Sequence, residues 1–178
     1  MWIKNFFAHF HTINKHRFYV MKYAFKLGLI YQGLTHDLSK YSPTEFFRGV
    51  KYYQGKRSPN DYERELNGYS VAWIHHKGRN KHHFEYWNDL NLKEHQYQSV
   101  IMPIKYVKEM LCDRLAASKT YLKRNYTNRS ALEYFESKNA KALMHPKTAE
   151  LIYEWLKLIA KKGEKEAFKI IKKQKSYK

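Results

Sequence analysis

Apolar residues return every three or four positions along almost the whole chain. This helical period limits the possible fold more than any other feature of the sequence. Phe18, Val20, Met21, Ala24, Phe25 and Leu27 trace one helix face, and Gly28 is placed to end that helix. A second short helix leads up to His36 and Asp37. Ser42–Pro43–Thr44–Glu45 combines an N-cap, a proline at the first helical position and an acid in the first turn, which predicts a helix to about Gly55. Ser58–Pro59–Asn60–Asp61 repeats that signal. It opens a helix carrying Tyr62, Leu66, Tyr69, Ala72 and Trp73 as far as His75 and His76.

Gly78 and Asn80 mark a break, followed by a short helical segment through His82–His83 to Trp87. Pro103 opens a long helix from Ile104 to about Lys123, with Val107, Met110, Leu111, Leu115 and Tyr121 on its apolar side. Ser130 and His145–Pro146 introduce further helices, Gly163 ends one, and Glu164 starts a basic terminal one. Seven glycines and four prolines are few for the turns of an all-β fold. Sixteen tyrosines, ten phenylalanines and four tryptophans in 178 residues can bury a real core, which argues against disorder. With no internal repeat or low-complexity linker, the chain reads as a single all-α domain over residues 1–178.

Lys and Arg number 34 against 16 Asp and Glu, a formal net charge of +18. That balance favours an anionic partner: a nucleotide or other small phosphorylated substrate, a nucleic acid, or an acidic surface. Eight lysines and two glutamates fall between Lys161 and Lys178. They read chiefly as a solvated helix face and frayed tail, with nucleic-acid contact as the lesser alternative. No apolar run reaches the roughly 18 residues that a membrane span needs. The stretch from Met1 to His16 lacks the pattern of a signal peptide. The single Cys112 excludes an intramolecular disulfide and a cysteine-built zinc site, and suits a reducing, cytoplasmic setting.

The chemistry-bearing residues are unevenly spread. His36 is followed directly by Asp37, the first carboxylate of the chain, while His75–His76 and His82–His83 form two pairs seven residues apart. Asp113 sits mid-helix with Met110, Ala116 and Ala117 one turn away, so it needs a partner, and a divalent metal is one. Imidazole plus carboxylate is a usual ligand set for such an ion. His9 and His11, in an aromatic N-terminal stretch, read as structural, and His95 and His145 as loop and cap residues.

The ordered set His16, His36–Asp37 and Asp113 resembles the HD-domain superfamily of metal-dependent phosphohydrolases. His16 opens His16–Arg17–Phe18–Tyr19–Val20, His36–Asp37–Leu38–Ser39–Lys40 resembles the central motif with its lysine, and Cys112–Asp113–Arg114–Leu115 resembles the closing one. The resemblance implies an HD-like helical bundle with its core at about residues 10–125 and added C-terminal helices at 130–175. It implies a metal held by His16, His36, Asp37 and Asp113. Some branches of the superfamily add two histidines and a second metal, serving di-metal phosphodiesterases and di-iron oxygenases similar to myo-inositol oxygenase. Here His76 and His83 are the extra ligands chosen. Within each pair, the other histidine is left to hydrogen-bond substrate or a carboxylate behind the ligands.

The expected cofactor is therefore one or two divalent ions of Mn, Fe, Co or Zn. Asp37, Lys40 and Glu85 are the candidate catalytic residues, and Lys40 and Arg79 the candidate phosphate contacts. The expected activity is hydrolysis of a phosphate ester, with a nucleotide among the candidate substrates. The alternatives are oxygen chemistry at two irons, or a basic nucleic-acid-binding module with a vestigial metal site.

Overall fold

The computed structural model describes residues 2–177; Met1 and Lys178, the last lysine of the basic tail, lie outside the described residues. Eight α-helices occur among them: α1 (Trp2–Lys26), α2 (Ile30–Thr35), α3 (Pro43–Lys51), α4 (Pro59–Asn67), α5 (Val71–Lys77), α6 (Ile104–Leu122), α7 (Ser130–Ser137) and α8 (Pro146–Lys173). The all-α expectation holds, with one small addition. Asn88–Asn91 and Gln96–Ser99 pair as an antiparallel hairpin, β1 and β2, in register Asn88 with Ser99. Its strands are four residues long and almost wholly exposed, so no alternation of apolar and polar residues announced them.

The buried positions of α1 are His9, Ile13, His16, Val20, Tyr23 and Ala24, a three- and four-residue stripe. That stripe packs against α6, which is buried nearly all round from Val107 to Cys112 and again at Leu115, Ala116 and Thr120. A helix enclosed on every side carries whatever polar groups it has into the interior, and α6 carries Glu109 and Asp113. Val20 and Tyr23 of α1 and Leu27 just after it meet Val107, Leu111 and Leu115 of α6, Phe135 of α7, and Ile152, Trp155 and Ile159 of α8 in the main core. A smaller core joins Ile13 to Phe46 and Val50 of α3.

Two helix boundaries differ from the sequence expectation. The Ser42 cap forms as expected, its hydroxyl accepting from the Glu45 N–H, but α3 ends at Lys51 rather than near Gly55. The helix expected from Ser58 to His76 is two helices. Gly68 adopts φ 77°, which ends α4, and the Ser70 hydroxyl accepts from the Trp73 N–H to start α5. Leu66 and Tyr69, assigned to one apolar face with Ala72, are exposed because that face is interrupted between them and Ala72. At the other end, Gly163 (φ 75°, ψ 163°) breaks α8 as expected. The tail beyond it is anchored rather than frayed. Ala167, Phe168 and Ile171 are buried, Trp155 Nε1–H donates to Gln174 Oε1 at 2.8 Å, and the Tyr177 hydroxyl donates to the Met102 carbonyl.

Candidate metal centre

The His36–Asp37 pair does not lie within a helix. His36 caps the C-terminus of α2, Asp37 takes left-handed backbone angles (φ 54°, ψ 27°), and a 3-10 turn begins at Leu38. This reversal overcomes the roughly 100° divergence of adjacent side chains on a helix. It leaves Asp37 Oδ2 3.2 Å from His36 Nε2. Arg17 secures the turn from α1, its Nε–H donating to the His36 carbonyl at 2.8 Å and its Nη2–H to the Leu34 carbonyl at 2.9 Å.

Around Asp37 the expected residues converge. On the Oδ2 side, His16 Nε2 lies at 3.5 Å, and it lies 3.0 Å from Asp113 Oδ1; His36 Nε2 is 3.7 Å from the same Asp113 oxygen. On the Oδ1 side, His76 Nε2 lies at 3.3 Å and His82 Nε2 at 3.4 Å. The His83 ring stands against both, with centroids 4.1 Å from His82 and 4.8 Å from His76. Two groups of four ligand-type side chains result, His16, His36, Asp37 and Asp113, and Asp37, His76, His82 and His83. The candidate ligand atoms within each group lie within 4.8 Å of one another. Asp37 belongs to both.

Of the first histidine pair, His76 belongs to the second group, while His75 is turned to Glu45 Oε1 at 2.6 Å and stands outside it. Of the second pair, both His82 and His83 belong to it.

Three residues behind the cluster hold its imidazoles; the sequence reading passed over one of them, Glu109, and gave Glu45 and Asn80 only local structural roles. Glu109 Oε1 lies 3.0 Å from His36 Nδ1 and 3.3 Å from His82 Nδ1. Glu45 Oε2 lies 2.7 Å from His76 Nδ1. Asn80, read as a break signal, sits beside the same ring and donates through Nδ2 to Ser39 Oγ at 2.8 Å. Glu109 had a legible cue: it stands four residues before Asp113, on the same face of an otherwise apolar helix. Glu45 had none, because an acid at that position is accounted for by the first turn of α3.

The electrostatics follow from this crowding. Burial alone would raise the Asp37 carboxyl, but His36, Lys40 and His76 around it hold it well below the usual carboxylate range. Burial opposes charge on His36 too, yet Asp37 and the hydrogen-bonding carboxylates raise it. His83 and His82 are both lowered, by burial and by neighbouring imidazoles, so His83 is held neutral and able to donate a lone pair. Cys112 is buried with its thiol pushed well up, which makes it inert.

The donor set passes a direct test of fit to metal. Nε2 of His16, His36, His82 and His83 and both oxygens of Asp37 are buried without an aligned hydrogen bond, although the Lys40 ammonium stands 2.7 Å from Asp37 Oδ2. Buried polar atoms are ordinarily partnered, and these six point into one small region. Imidazole nitrogens braced from behind by carboxylates, with a carboxylate between them, form the donor set that Mn, Fe, Co and Zn take.

The remaining candidates divide. Lys40 Nζ lies 2.7 Å from Asp37 Oδ2; burial would lower its pKa, but Asp37 and Asp113 keep it raised and charged. Glu85 is outside the cluster, its Oε2 unpartnered and its carboxyl raised by burial. Arg79 is exposed and donates to the His75 carbonyl at 3.3 Å, so the structure does not bring it to the cluster. His9 is buried against Phe46 and Tyr53, as its structural reading required, while His11 is exposed. The His145 ring caps α8 by accepting from the Lys147 N–H at 3.2 Å.

Fold and site together define an all-α protein with a buried histidine–carboxylate cluster centred on one aspartate. Residues 5–158 match DUF5662, a family of unknown function, and the chain belongs to that family. No curated protein and no solved structure shows significant similarity to it.

Proposed function

We propose that the protein is a metal-dependent phosphohydrolase of HD type, acting on a phosphate ester such as that of a nucleotide, with two divalent ions that Asp37 would bridge. The observation that carries this reading is the division of Asp37: each carboxylate oxygen faces its own set of histidines. His16, His36 and Asp113 would complete one ion's ligands, and His76, His82 and His83 the other's. Two bound divalent ions would polarise the phosphoryl group and supply a hydroxide nucleophile at neutral pH.

The chain's own residues do the rest. Glu109 and Glu45 accept from Nδ1–H and so keep Nε2 of His36, His82 and His76 free to ligate. Lys40 stays cationic beside the cluster and binds a non-bridging phosphate oxygen. Glu85, two residues beyond His83, has a raised pKa, and it holds the proton that the leaving oxygen takes up.

The test is elemental analysis of the purified protein, followed by a panel of phosphomonoesters, phosphodiesters and nucleotides with Mn, Co, Zn or Fe added. The expected result is two metal equivalents per chain and metal-dependent turnover that disappears in Asp37→Asn. Equal turnover in the variant overturns the assignment. Iron with oxygen uptake and no phosphate release would move the same ligands to di-iron oxygenase chemistry, since imidazole and carboxylate suit both.

A further inference from the structure

A recess opens along the seam between α1 and α6, beside the cluster. Thr12 stands one turn before His16 on α1, and Thr120 stands two turns after Asp113 on α6. Both therefore lie on the helix faces that carry cluster ligands, about 6 Å and about 10 Å further along the respective axes. The recess has a volume of about 220 Å³, and Lys15, Lys123, Tyr53 and Tyr121 line it together with the two threonines. A shallower hollow of about 320 Å³ shares Lys15 and Lys123 with it and adds Arg124. No carboxylate lines either one.

Three features mark the recess as built for an anion. Thr120 is 5% exposed, and its Oγ1 has no hydrogen-bond partner. A buried hydroxyl is ordinarily satisfied, so this one is a donor in want of an acceptor. Lys15, Lys123 and Arg124 form no ion pair among the described residues, whereas Lys119 nearby is engaged by Glu164 at 2.8 Å. Lys123 is held at φ 52°, ψ −114°, a conformation that L residues avoid and that persists where the surroundings over-determine it, as at ligand clamps.

We propose that this recess is a phosphate-binding subsite, separate from the metal ligands, in which Lys15, Lys123 and the Thr120 hydroxyl hold a phosphate dianion. Two ammonium groups and a buried hydroxyl match the charge and the several acceptor oxygens of such a group. Binding there needs no metal. Only the further role, seating a second phosphate of a substrate whose scissile group lies at Asp37, rests on the hydrolase reading.

The experiment is calorimetric titration of the full chain, pre-treated with chelator, with inorganic phosphate and separately with a nucleoside 5′-monophosphate. The expected result is one saturable site per chain. Binding should weaken about tenfold or more in Lys15→Ala/Lys123→Ala, and clearly in the near-isosteric Thr120→Val, with circular dichroism showing both variants folded. Lys169→Ala, at an exposed lysine of α8 paired with Glu166, should leave binding to the chelated protein unchanged. Tighter binding of the nucleoside monophosphate than of free phosphate, lost in the same variants, assigns the subsite to an esterified phosphate; equal affinity assigns it to the free ion. Absence of saturable binding, unaltered affinity in the double variant, or loss of binding in Lys169→Ala overturns the proposal. Metal content and turnover are measured apart from this titration, so failure of the hydrolase reading would leave its outcome standing.

Discussion

Glu109 Oε1 lies 3.0 Å from Nδ1 of His36, joining the centre of α6 to the turn that follows α2. The same oxygen reaches Nδ1 of His82, so one carboxylate fixes an imidazole on each side of Asp37. Carboxylates placed behind metal-bound histidines set the tautomer and the ring orientation. Glu109→Gln keeps the shape and removes the charge. It should weaken metal binding about 10- to 100-fold, read by competition with a chromophoric chelator. Unchanged affinity and stoichiometry would remove Glu109 from the centre.

Asp37 is the residue both ligand groups share, and its left-handed backbone makes alanine a poor probe, because strain would be added to the loss of charge. Asparagine tolerates that conformation. If two ions bind as proposed, Asp37→Asn should lower the metal content from two equivalents to none while leaving the far-ultraviolet circular dichroism unchanged. It should also abolish the rise in thermal midpoint expected of the wild type on adding metal. Retention of one tightly bound equivalent would show that Asp37 does not bridge.

His9 belongs to the smaller core. Burial, assisted by Lys40, lowers its pKa from the ordinary 6.5 to about 4. The folded state therefore resists protonation that the unfolded chain accepts. The resulting stability is complete above about pH 6.5 and is lost as pH falls toward 4, amounting to about 3 kcal/mol at the limit. Urea titrations of wild type and His9→Phe between pH 7 and pH 4 measure it, and the difference between the two slopes should carry that loss.

Gly49 of α3 faces the His9 ring closely, and a Cβ there would stand 2.0 Å from Nε2. Gly49→Ala should destabilise the fold by about 1–3 kcal/mol, read from denaturant midpoints. A neutral effect would mean that α1 and α3 separate freely.

Glu164 accepts from the Tyr23 hydroxyl at 2.8 Å and from the Tyr126 hydroxyl at 2.7 Å, and pairs with Lys119. It thereby ties the segment after Gly163 to α1 and α6. Glu164→Ala strands the buried Tyr23 phenol and the half-buried Tyr126 phenol and should cost about 2 kcal/mol, with the first gain in hydrogen exchange at Ala167–Ile171. Uniform exchange along the chain in the variant would contradict that local anchoring.

The period of the apolar residues was enough to read the all-α architecture, the bounds of α6 to within a residue, and the breaks at Gly28 and Gly163, because those features depend on neighbours in the chain. The four ordered residues His16, His36, Asp37 and Asp113 were legible through their resemblance to the HD-domain motifs, and Asp113 also as a carboxylate among apolar neighbours on a helix; all four meet in the structure. What tertiary structure alone decided is how these groups are held. Whether His82 or His83 turned inward depended on a short 3-10 turn against α6, and both did. Glu45 and Glu109 resemble ordinary helix acids in sequence, and their contacts with His76, His36 and His82 span 31, 73 and 27 positions. Such pairings are set by how whole helices pack, which no local pattern encodes. The turn at Asp37 follows the same rule: its left-handed backbone is held by Arg17 and by the packing of α1, and that reversal is what brings adjacent side chains to one point.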